Sequence, residues 1–292
     1  MSIAILLLRS VAWATPAGIA RRLSLRLIGD DPVALCFHRV GDDSVRAGML
    51  MPELCHDAAI IDELIEWLAP VPGGLTMSFD DGYADAAEYV SARAPRHPEV
   101  SWHFMVCPQK TIDRNGFPWD DWIDRPAHGE VAEFLAEWKH LFESAGPLAR
   151  GSVGGADREH CRLATVEECR ALASFDNVQL GNHTDRHLPS AWLSNSELVA
   201  EIATSQQRFV DTFGATDHFA FPFGAEPWVT VENIGVALDA LDGTVWTIGS
   251  SAVVADGRVR PRFSMRSTDG SAKATVLVIA VRCRLAARRA QA

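Results

Sequence analysis

Two short motifs, about a hundred residues apart, combine side chains that can bind a metal ion and activate water. The first is Asp80-Asp81-Gly82, and the second is a stretch of five residues that begins at His183 and ends at His187. Histidines at this spacing lie on one face of a helical turn or in one short loop, so they can share a metal ion. A carboxylate completes a set that leaves coordination positions open for water and substrate. Two adjacent aspartates can divide the work, because one binds the metal while the other accepts a proton from water.

Each motif taken alone also has a structural interpretation. Asp-Gly is common in surface turns, and two histidines four residues apart are a weak signal. The apolar run before Asp80 and the presence of both motifs in one chain favour a metal site. Asp185, between the two histidines, is either a partner that orients one of them or a solvated loop residue.

The elements that must position these motifs alternate between strand and helix. Apolar runs predict strands at 33–37, 75–79, 100–106, 178–180, 218–221 and 244–248. Residues 52–68 have apolar side chains at helical spacing and predict one helix. Thr165 with Glu168, and Ser194 with Glu197, predict capping boxes at the starts of two more helices. The alternation indicates a parallel sheet or barrel, and both motifs follow strands, so they are expected on the rim where barrel active sites form.

Six segments resemble, in the same order, the polysaccharide deacetylase family, which is also called the NodB-homology family or carbohydrate esterase family four. They are LCFHRV at 35–40, TMSFDDGY at 76–83, PWDDW at 118–122, HTDRH at 183–187, FAFPFG at 219–224 and RPRF at 260–263. The second and fourth are similar to the first two motifs of the family. The others resemble a large branch that has YHRV in the first segment.

This resemblance implies a fold, a cofactor and an activity. The fold is an α/β structure, a distorted parallel (β/α) barrel with about seven strands. Asp81, His183 and His187 would bind a divalent metal, usually Zn²⁺, with Co²⁺, Ni²⁺, Mn²⁺ and Fe²⁺ as alternatives. Asp80 would be the catalytic base in the hydrolysis of an N-acyl group, most often an acetyl group on an amino sugar.

The sequence departs from the family pattern at two points. Ala220 stands where the third motif usually has an arginine that orients the base, and Arg262 is expected to replace it from a late strand. No histidine follows His218, although the family tends to place its catalytic acid late in the chain. His38 and His103 are the candidate acids. Packing in the core is favoured for His103, whereas His38 is either a site residue or a buried histidine bonded to a backbone carbonyl.

Aromatic residues are candidates for substrate contacts, since aromatic faces stack on sugar rings. Trp119, Trp122 and Trp246 are the tryptophans expected to line a groove, and packing is the alternative for each of them. The backbone amide of Phe223 is a candidate donor to a developing oxyanion.

The net charge of −11 is unevenly distributed over the 292 residues. Residues 1–29 hold four arginines, residues 273–292 hold one lysine and four arginines, and neither segment has an acidic residue. Removing these nine basic residues from the total of 27 leaves 18 basic and 38 acidic residues, a charge of −20. The acidic body argues against a nucleic-acid partner, whereas the basic ends indicate contact with anionic lipid.

Length and composition fit one large α/β domain. We expect an N-terminal helical segment at 1–30, the barrel at 31–270 and a basic C-terminal segment at 271–292. The apolar run near the N-terminus is interrupted by Arg9 and is shorter than the ~20 residues of a membrane span. The helix predicted over 3–28 therefore packs on the barrel or lies on a membrane surface. With no export signal and no CxxC pair, the expected location is cytoplasmic, at the inner face of the membrane.

Three functions remain open from the sequence. The leading hypothesis is metal-dependent removal of an N-acetyl group from an amino sugar in a polysaccharide or glycan precursor. The second hypothesis keeps the same site but assigns it a different amide as substrate, as in deformylation of a lipid-linked amino sugar or hydrolysis of a cyclic imide. The third is a non-catalytic glycan-binding module, which the retained base beside the metal ligands argues against.

Overall fold

Seven parallel strands form a closed barrel in the computed structural model, which describes residues 15–122, 131–144, 161–249, 256–267 and 271–290. The strands of the chain are β1 (Val33–Phe37), β2 (Arg39–Val40), β3 (Cys55–His56), β4 (Leu75–Phe79), β5 (Val100–Val106), β6 (Val178–Asn182), β7 (His218–Ala220), β8 (Thr244–Ile248) and β9 (Val259–Ser264). The barrel order is β1-β4-β5-β6-β7-β8-β9, and β1 closes it by pairing with both β4 and β9.

Helices connect the strands and cover the outside of the barrel. They are α1 (Ala17–Ile28), α2 (Asp43–Arg46), α3 (Ala58–Leu68), α4 (Ala84–Arg93), α5 (Pro108–Asp113), α6 (Pro118–Trp122), α7 (Val131–Ser144), α8 (Val166–Leu172), α9 (Asn195–Phe213), α10 (Val231–Ala240) and α11 (Ala272–Ala290). Short 3₁₀ turns lie at Pro52–Leu54, Ala94–Arg96 and Ser190–Trp192. None of the described helices is both long and apolar enough to cross a bilayer.

The architecture confirms the predicted barrel. All six predicted strands are present, and the late segment with Arg262 is the seventh strand of the barrel. Both capping boxes form, with Thr165 and Ser194 each accepting a hydrogen bond from the backbone N–H of a glutamate three residues later. Of the helix predicted over 3–28, the structure has α1, and residues 3–14 lie outside the described part of the chain.

The single helix predicted over residues 52–68 is wrong in its first third. The helix begins at Ala58, because the preceding segment is used in long-range pairing. Strand β3 pairs with β2 in a separate parallel sheet, and the carbonyl of His56 accepts a hydrogen bond from the N–H of Gly41 at 3.0 Å. These contacts hold an extended conformation that helical periodicity alone does not reveal.

Two apolar layers surround the barrel wall, and its interior is partly polar. The outward residues of β1, β4 and β5 pack under α1, α3, α4 and α11, while those of β7 and β8 pack under α9 and α10. Inside the barrel, four apolar side chains from four strands form a small separate cluster, Ala34, Met105, Ala220 and Trp246. Above this cluster the interior holds polar side chains, which places the chemistry at the carboxyl ends of the strands.

Close packing inside the barrel requires glycine at position 181. A Cβ on Gly181 would overlap Sδ of Met105 and would lie 3.2 Å from Cβ of His218. We expect Gly181→Ala to lower the free energy of unfolding by about 1–3 kcal/mol, because an overpacked core must shift. Gly235→Ala, on α10, is the matched control, since nothing lies within 4 Å of its added Cβ, and it should raise stability by about 0.5–1 kcal/mol.

Urea denaturation of the two variants and the wild type measures both effects. Equal changes in the two variants would contradict the packing argument.

Candidate metal site and active-site pocket

The two motifs meet because each directly follows a barrel strand. The N–H of Asp80 donates to the carbonyl of Phe37 at 2.9 Å, and the N–H of His183 donates to that of Val106 at 2.8 Å, so the parallel ladder continues into both motifs. Asp81 then turns the chain with a left-handed φ of 74°, and Gly82 follows with a φ of 80°. This turn leaves the two aspartate side chains on the same rim as the histidine motif.

Asp81, His183 and His187 form a buried group that can hold a metal ion. Their nearest ligand atoms all lie within 4.8 Å of one another. Oδ1 of Asp81 is 2.9 Å from Nε2 of His187 and 3.5 Å from Nε2 of His183. One carboxylate and two imidazoles are the donor set that zinc and similar divalent metals bind in proteins.

The bonding of these atoms fits a metal better than a hydrogen-bonded cluster. Oδ1 of Asp81 and both ring nitrogens of His187 are buried without a hydrogen-bond partner among the described residues, although two of these atoms are only 2.9 Å apart. Nδ1 of His183 lies 2.8 Å from the carbonyl oxygen of Ala220, so Nδ1 carries the proton and the lone pair of Nε2 is directed at Asp81. Buried polar atoms without partners are rare, and a shared cation would satisfy the two that face each other, Oδ1 of Asp81 and Nε2 of His187.

The charge of Asp81 is compatible with a bound cation. Burial alone would raise the pKa of this carboxyl, but the neighbouring His187 and His183 outweigh burial and hold its pKa well below the usual range. The carboxylate is therefore ionised, and a buried carboxylate needs a cationic partner.

The histidine loop is anchored by α9, which sequence reasoning missed. Glu201 on this helix accepts hydrogen bonds from the N–H of Asp185 at 3.2 Å and that of Arg186 at 3.0 Å, and it also pairs with the Arg186 side chain. The side chain of Asp185 pairs with Arg208 and accepts from the N–H of Gln109 at 3.0 Å. Asp185 is thus a buried structural residue, and neither interpretation offered by the sequence applies to it. The sequence did contain a signal for this role. Glu201 is an acidic residue between Leu198 and Ile202 on the apolar side of a helix, where a charged side chain needs a buried partner.

Asp80 is bound by Arg262 on the opposite side from the histidines. Nη1 of Arg262 donates to Oδ1 at 2.6 Å, and Nη2 donates to Oδ2 at 2.8 Å. The hydroxyl of Ser78 donates to Oδ1 at 3.1 Å, and the thiol of Cys36 approaches Oδ2 at 3.4 Å. Although burial alone would raise it, the guanidinium of Arg262 and the nearby His183 lower the pKa of Asp80 to about 2. The structure therefore brings the predicted replacement arginine to the predicted base.

Ala220 occupies a position with no room for an arginine. It is fully buried in the small apolar cluster inside the barrel, and its carbonyl orients His183.

A pocket opens beside Asp81, one of the three candidate metal ligands. It is lined by His38, Arg39, Met49, Leu50, Met51, Leu54, Asp81, Tyr83, Trp119 and Asp120. His38 is half-buried at the end of β1, and its Nδ1 has no hydrogen-bond partner among the described residues. The pocket thus brings one candidate acid to the same space as the metal ligand Asp81.

His103, the other candidate acid, lies inside the barrel. Its Nε2 is 3.1 Å from the hydroxyl of Ser101, and its ring packs edge-on against Trp246. Burial and the nearby His218 lower its pKa to about 3, so its imidazole is neutral near pH 7. This is the core packing that the sequence favoured for His103.

The candidate substrate residues fall in different places. Trp119 lines the pocket, with its ring centroid 5.1 Å from that of His187, and the ring centroid of Phe223 is 5.3 Å from the same histidine. Trp246 lies inside the barrel, where its indole N–H donates to Nδ1 of His218 at 3.2 Å. The side chain of Trp122 lies outside the described part of the structure.

A buried polar network behind the pocket was not found from the sequence. Arg39 pairs with Asp85 at 2.6 Å and covers the ring of Tyr83. The hydroxyl of Tyr83 donates to Asp120 at 3.1 Å and accepts from the indole N–H of Trp119 at 2.9 Å. The network fixes Tyr83, and with it the turn that carries Asp81, against the pocket wall. All of its members except Asp85 lie in the FHRV, DDGY and PWDD segments, but their pairing depends on tertiary contacts.

Comparison with known proteins gives structural matches only. No protein-family model and no curated protein matches the sequence. Among solved structures, a de-N-acetylase of Aggregatibacter actinomycetemcomitans has a TM-score of 0.53 at 14% identity, covering 84% of this chain and 99% of that one. The Streptococcus pyogenes deacetylase PplD, solved with acetate, has a TM-score of 0.55 at 12% identity, covering 84% and 96%. IcaB of Ammonifex degensii has a TM-score of 0.53 at 14% identity, covering 88% and 98%. The chain therefore has the NodB-type fold of the polysaccharide deacetylases.

Proposed function

We propose that the protein is a metal-dependent hydrolase that removes the N-acetyl group from an amino sugar in a polysaccharide or glycan precursor. One observation carries the proposal: the unbonded ligand atoms of Asp81 and His187 converge beside Asp80, an ionised carboxylate held by Arg262. The fold shared with a de-N-acetylase and with the deacetylase PplD supports an amide of this kind as substrate.

Asp81, His183 and His187 would hold the metal, and Zn²⁺ fits this donor set, with Co²⁺, Ni²⁺, Mn²⁺ and Fe²⁺ as alternatives. When bound, a divalent metal lowers the pKa of water towards ~7 and polarises the amide carbonyl. The aromatic rings of Phe117, Trp119 and Phe223 surround His187 and keep bulk water from this side of the site.

Asp80 would act as the base that accepts the proton of the attacking water. Its Oδ2 lies 3.9 Å from Nε2 of His183, so the carboxylate reaches the edge of the metal site. The two hydrogen bonds from Arg262 keep the carboxylate ionised and fix the orientation of its plane. A base needs a fixed orientation to accept a proton from a water at one defined position.

His38 would protonate the amine as it leaves. It lines the pocket together with Asp81, and its side chain is half-buried, so the exposed part of the ring can face a substrate nitrogen there. His103 cannot take this role, because it is neutral and enclosed by the barrel. The backbone amide of Phe223, next to His187, remains the proposed donor to the oxyanion, and Trp119 the proposed contact to the sugar.

The first experiment measures metal content and acetate release together. We expect purified wild type to hold close to one equivalent of divalent metal and to release acetate from N-acetylated oligosaccharides. His183→Ala should lose both, because it removes a ligand, whereas His140→Ala, an exposed histidine on α7, should lose neither.

Metal without acetate release would move the search to N-formyl sugars and cyclic imides. Wild type without metal after reconstitution would reject the enzyme and favour a glycan-binding module.

The second experiment tests His38 by changing the leaving group. His38→Gln should slow N-acetyl hydrolysis by about 10²–10⁴-fold, because an amine must be protonated as it leaves. Hydrolysis of 4-nitrophenyl acetate should change little, since its leaving group needs no proton. Metal content should stay at the wild-type level. Equal losses on both substrates would exclude His38 as the acid.

The third experiment tests the pair of Arg262 and Asp80 by a double-mutant cycle. Arg262→Met should lower the free energy of unfolding by about 3–5 kcal/mol, because it leaves a buried carboxylate without its partner. Arg262→Met combined with Asp80→Leu should cost less than the two single changes added together.

Lys139→Ala is the control, since the ion pair of Lys139 with Glu143 is exposed and should contribute under about 0.5 kcal/mol. Additive effects at Arg262 and Asp80 would show that the two are not coupled.

A further inference from the structure

The two ends of the chain form one surface of the protein. Helix α11, near the C-terminus, packs lengthwise against α1, near the N-terminus, and also against α3. The ammonium of Lys273 donates to the carbonyl of Thr15 at 2.9 Å at one end of this contact. At the other end, burial and the nearby Asp31 raise the pKa of Cys283 to about 11, which places the residues just after α1 close to the later part of α11. The two helices therefore run side by side in the same direction.

This surface carries the opposite charge to the rest of the chain. Neither helix contains an acidic residue, while α1 exposes Arg22 and Arg26, and α11 exposes Arg282 and Arg284. The chain between residues 30 and 272 carries a charge of −20. Charge of one sign is thus concentrated on two adjacent helices, which favours an anionic partner at this place.

Large apolar side chains are exposed among these arginines. Ile19 is 59% exposed and Leu23 is 45% exposed, one turn apart on α1, and Leu285 on α11 is 51% exposed. Arg22 and Arg26 alternate with the two apolar residues along the same side of α1. The opposite side, with Ala20, Ser24 and Ile28, is buried against the protein. Single exposed apolar residues are ordinary, but apolar and basic residues interleaved on one helix are typical of helices that lie in a membrane interface.

We propose that the exposed sides of α1 and α11, called here the basic face (Ile19, Arg22, Leu23, Arg26, Arg282 and Leu285), dock on an anionic lipid surface. The aliphatic side chains enter the region between headgroups and acyl chains, and the guanidinium groups bind lipid phosphates. A nucleic acid would use the arginines but gives the aliphatic side chains nothing to bury against. A second copy of the chain would set two cationic surfaces against each other.

Sedimentation of the full chain with vesicles tests the proposal. The vesicles are phosphatidylcholine alone, and phosphatidylcholine with phosphatidylglycerol. We expect wild type to bind the anionic vesicles and to be released by salt. Ile19→Glu with Leu23→Glu should weaken partitioning at least ~tenfold, because apolar burial is lost and charge is reversed. Arg22→Ala should weaken it about fivefold.

The matched control is Val199→Glu with Val210→Glu on α9. These valines are 46% and 40% exposed, and the change adds the same two negative charges far from the basic face in sequence and on another helix. We expect the control to bind like wild type. Metal content and thermal melting establish that each variant is folded, and Arg22→Ala keeps the test valid if the double glutamate variant is not.

Three results would overturn the proposal. The first is wild type that binds neutral and anionic vesicles equally, or binds neither of them. The second is an equal loss of binding in the control and in the basic-face variants. The third is tighter binding to duplex DNA than to anionic vesicles.

Discussion

The ion pair between Arg262 and Asp80 is the interaction on which the site depends. The two residues are 182 positions apart, and they meet because β9 pairs with β1, which pairs with β4. Removing both charges from water is costly, and the cost is offset by two short hydrogen bonds between them and by further donors from Ser78 and Cys36. Asp80, the proposed base, is therefore oriented only when the last strand closes the barrel, so the geometry proposed for catalysis depends on barrel closure.

The candidate metal ligands need a second constraint, because they lie beyond the strands. Asp81, Thr184 and His187 all have positive φ, in the left-handed region that residues with a Cβ seldom adopt. Tertiary bonds hold these turns: Thr184 accepts from the N–H of His187, and Glu201 caps the loop from α9. The strained turns direct two imidazoles and a carboxylate at one point. Without a cation there, Oδ1 of Asp81 and Nε2 of His187 would stay buried and unbonded, which a folded protein seldom retains.

The sequence predicted what local patterns encode. Strands of apolar residues, the capping boxes and the metal-ligand motifs are contiguous signals, and the resemblance added Arg262 from a distant strand. It could not predict the β2–β3 sheet, because the helical periodicity before Ala58 is overridden by pairing with a segment sixteen residues away. The position of Trp246 could not be predicted either. A tryptophan suits a sugar-binding groove, but the side chains of β8 point alternately outward and inward, and Trp246 points into the barrel. The pairing of Tyr83 with Asp120 likewise depends on where two loops meet, not on their composition.

The polar interior beneath the site explains why Arg262 can be so deeply buried. His103 lies in the same interior. Burial and the nearby His218 lower the pKa of His103, and the charge of Arg262 lowers it further. A protonated His103 would compete with Arg262 for the single carboxylate of Asp80, and the low pKa prevents this near pH 7. The neutral ring instead contacts Ser101 and packs on Trp246, whose own N–H is satisfied by His218. No charged side chain from the described part of this interior therefore competes with Arg262 for Asp80, and the guanidinium sets the orientation of the proposed base.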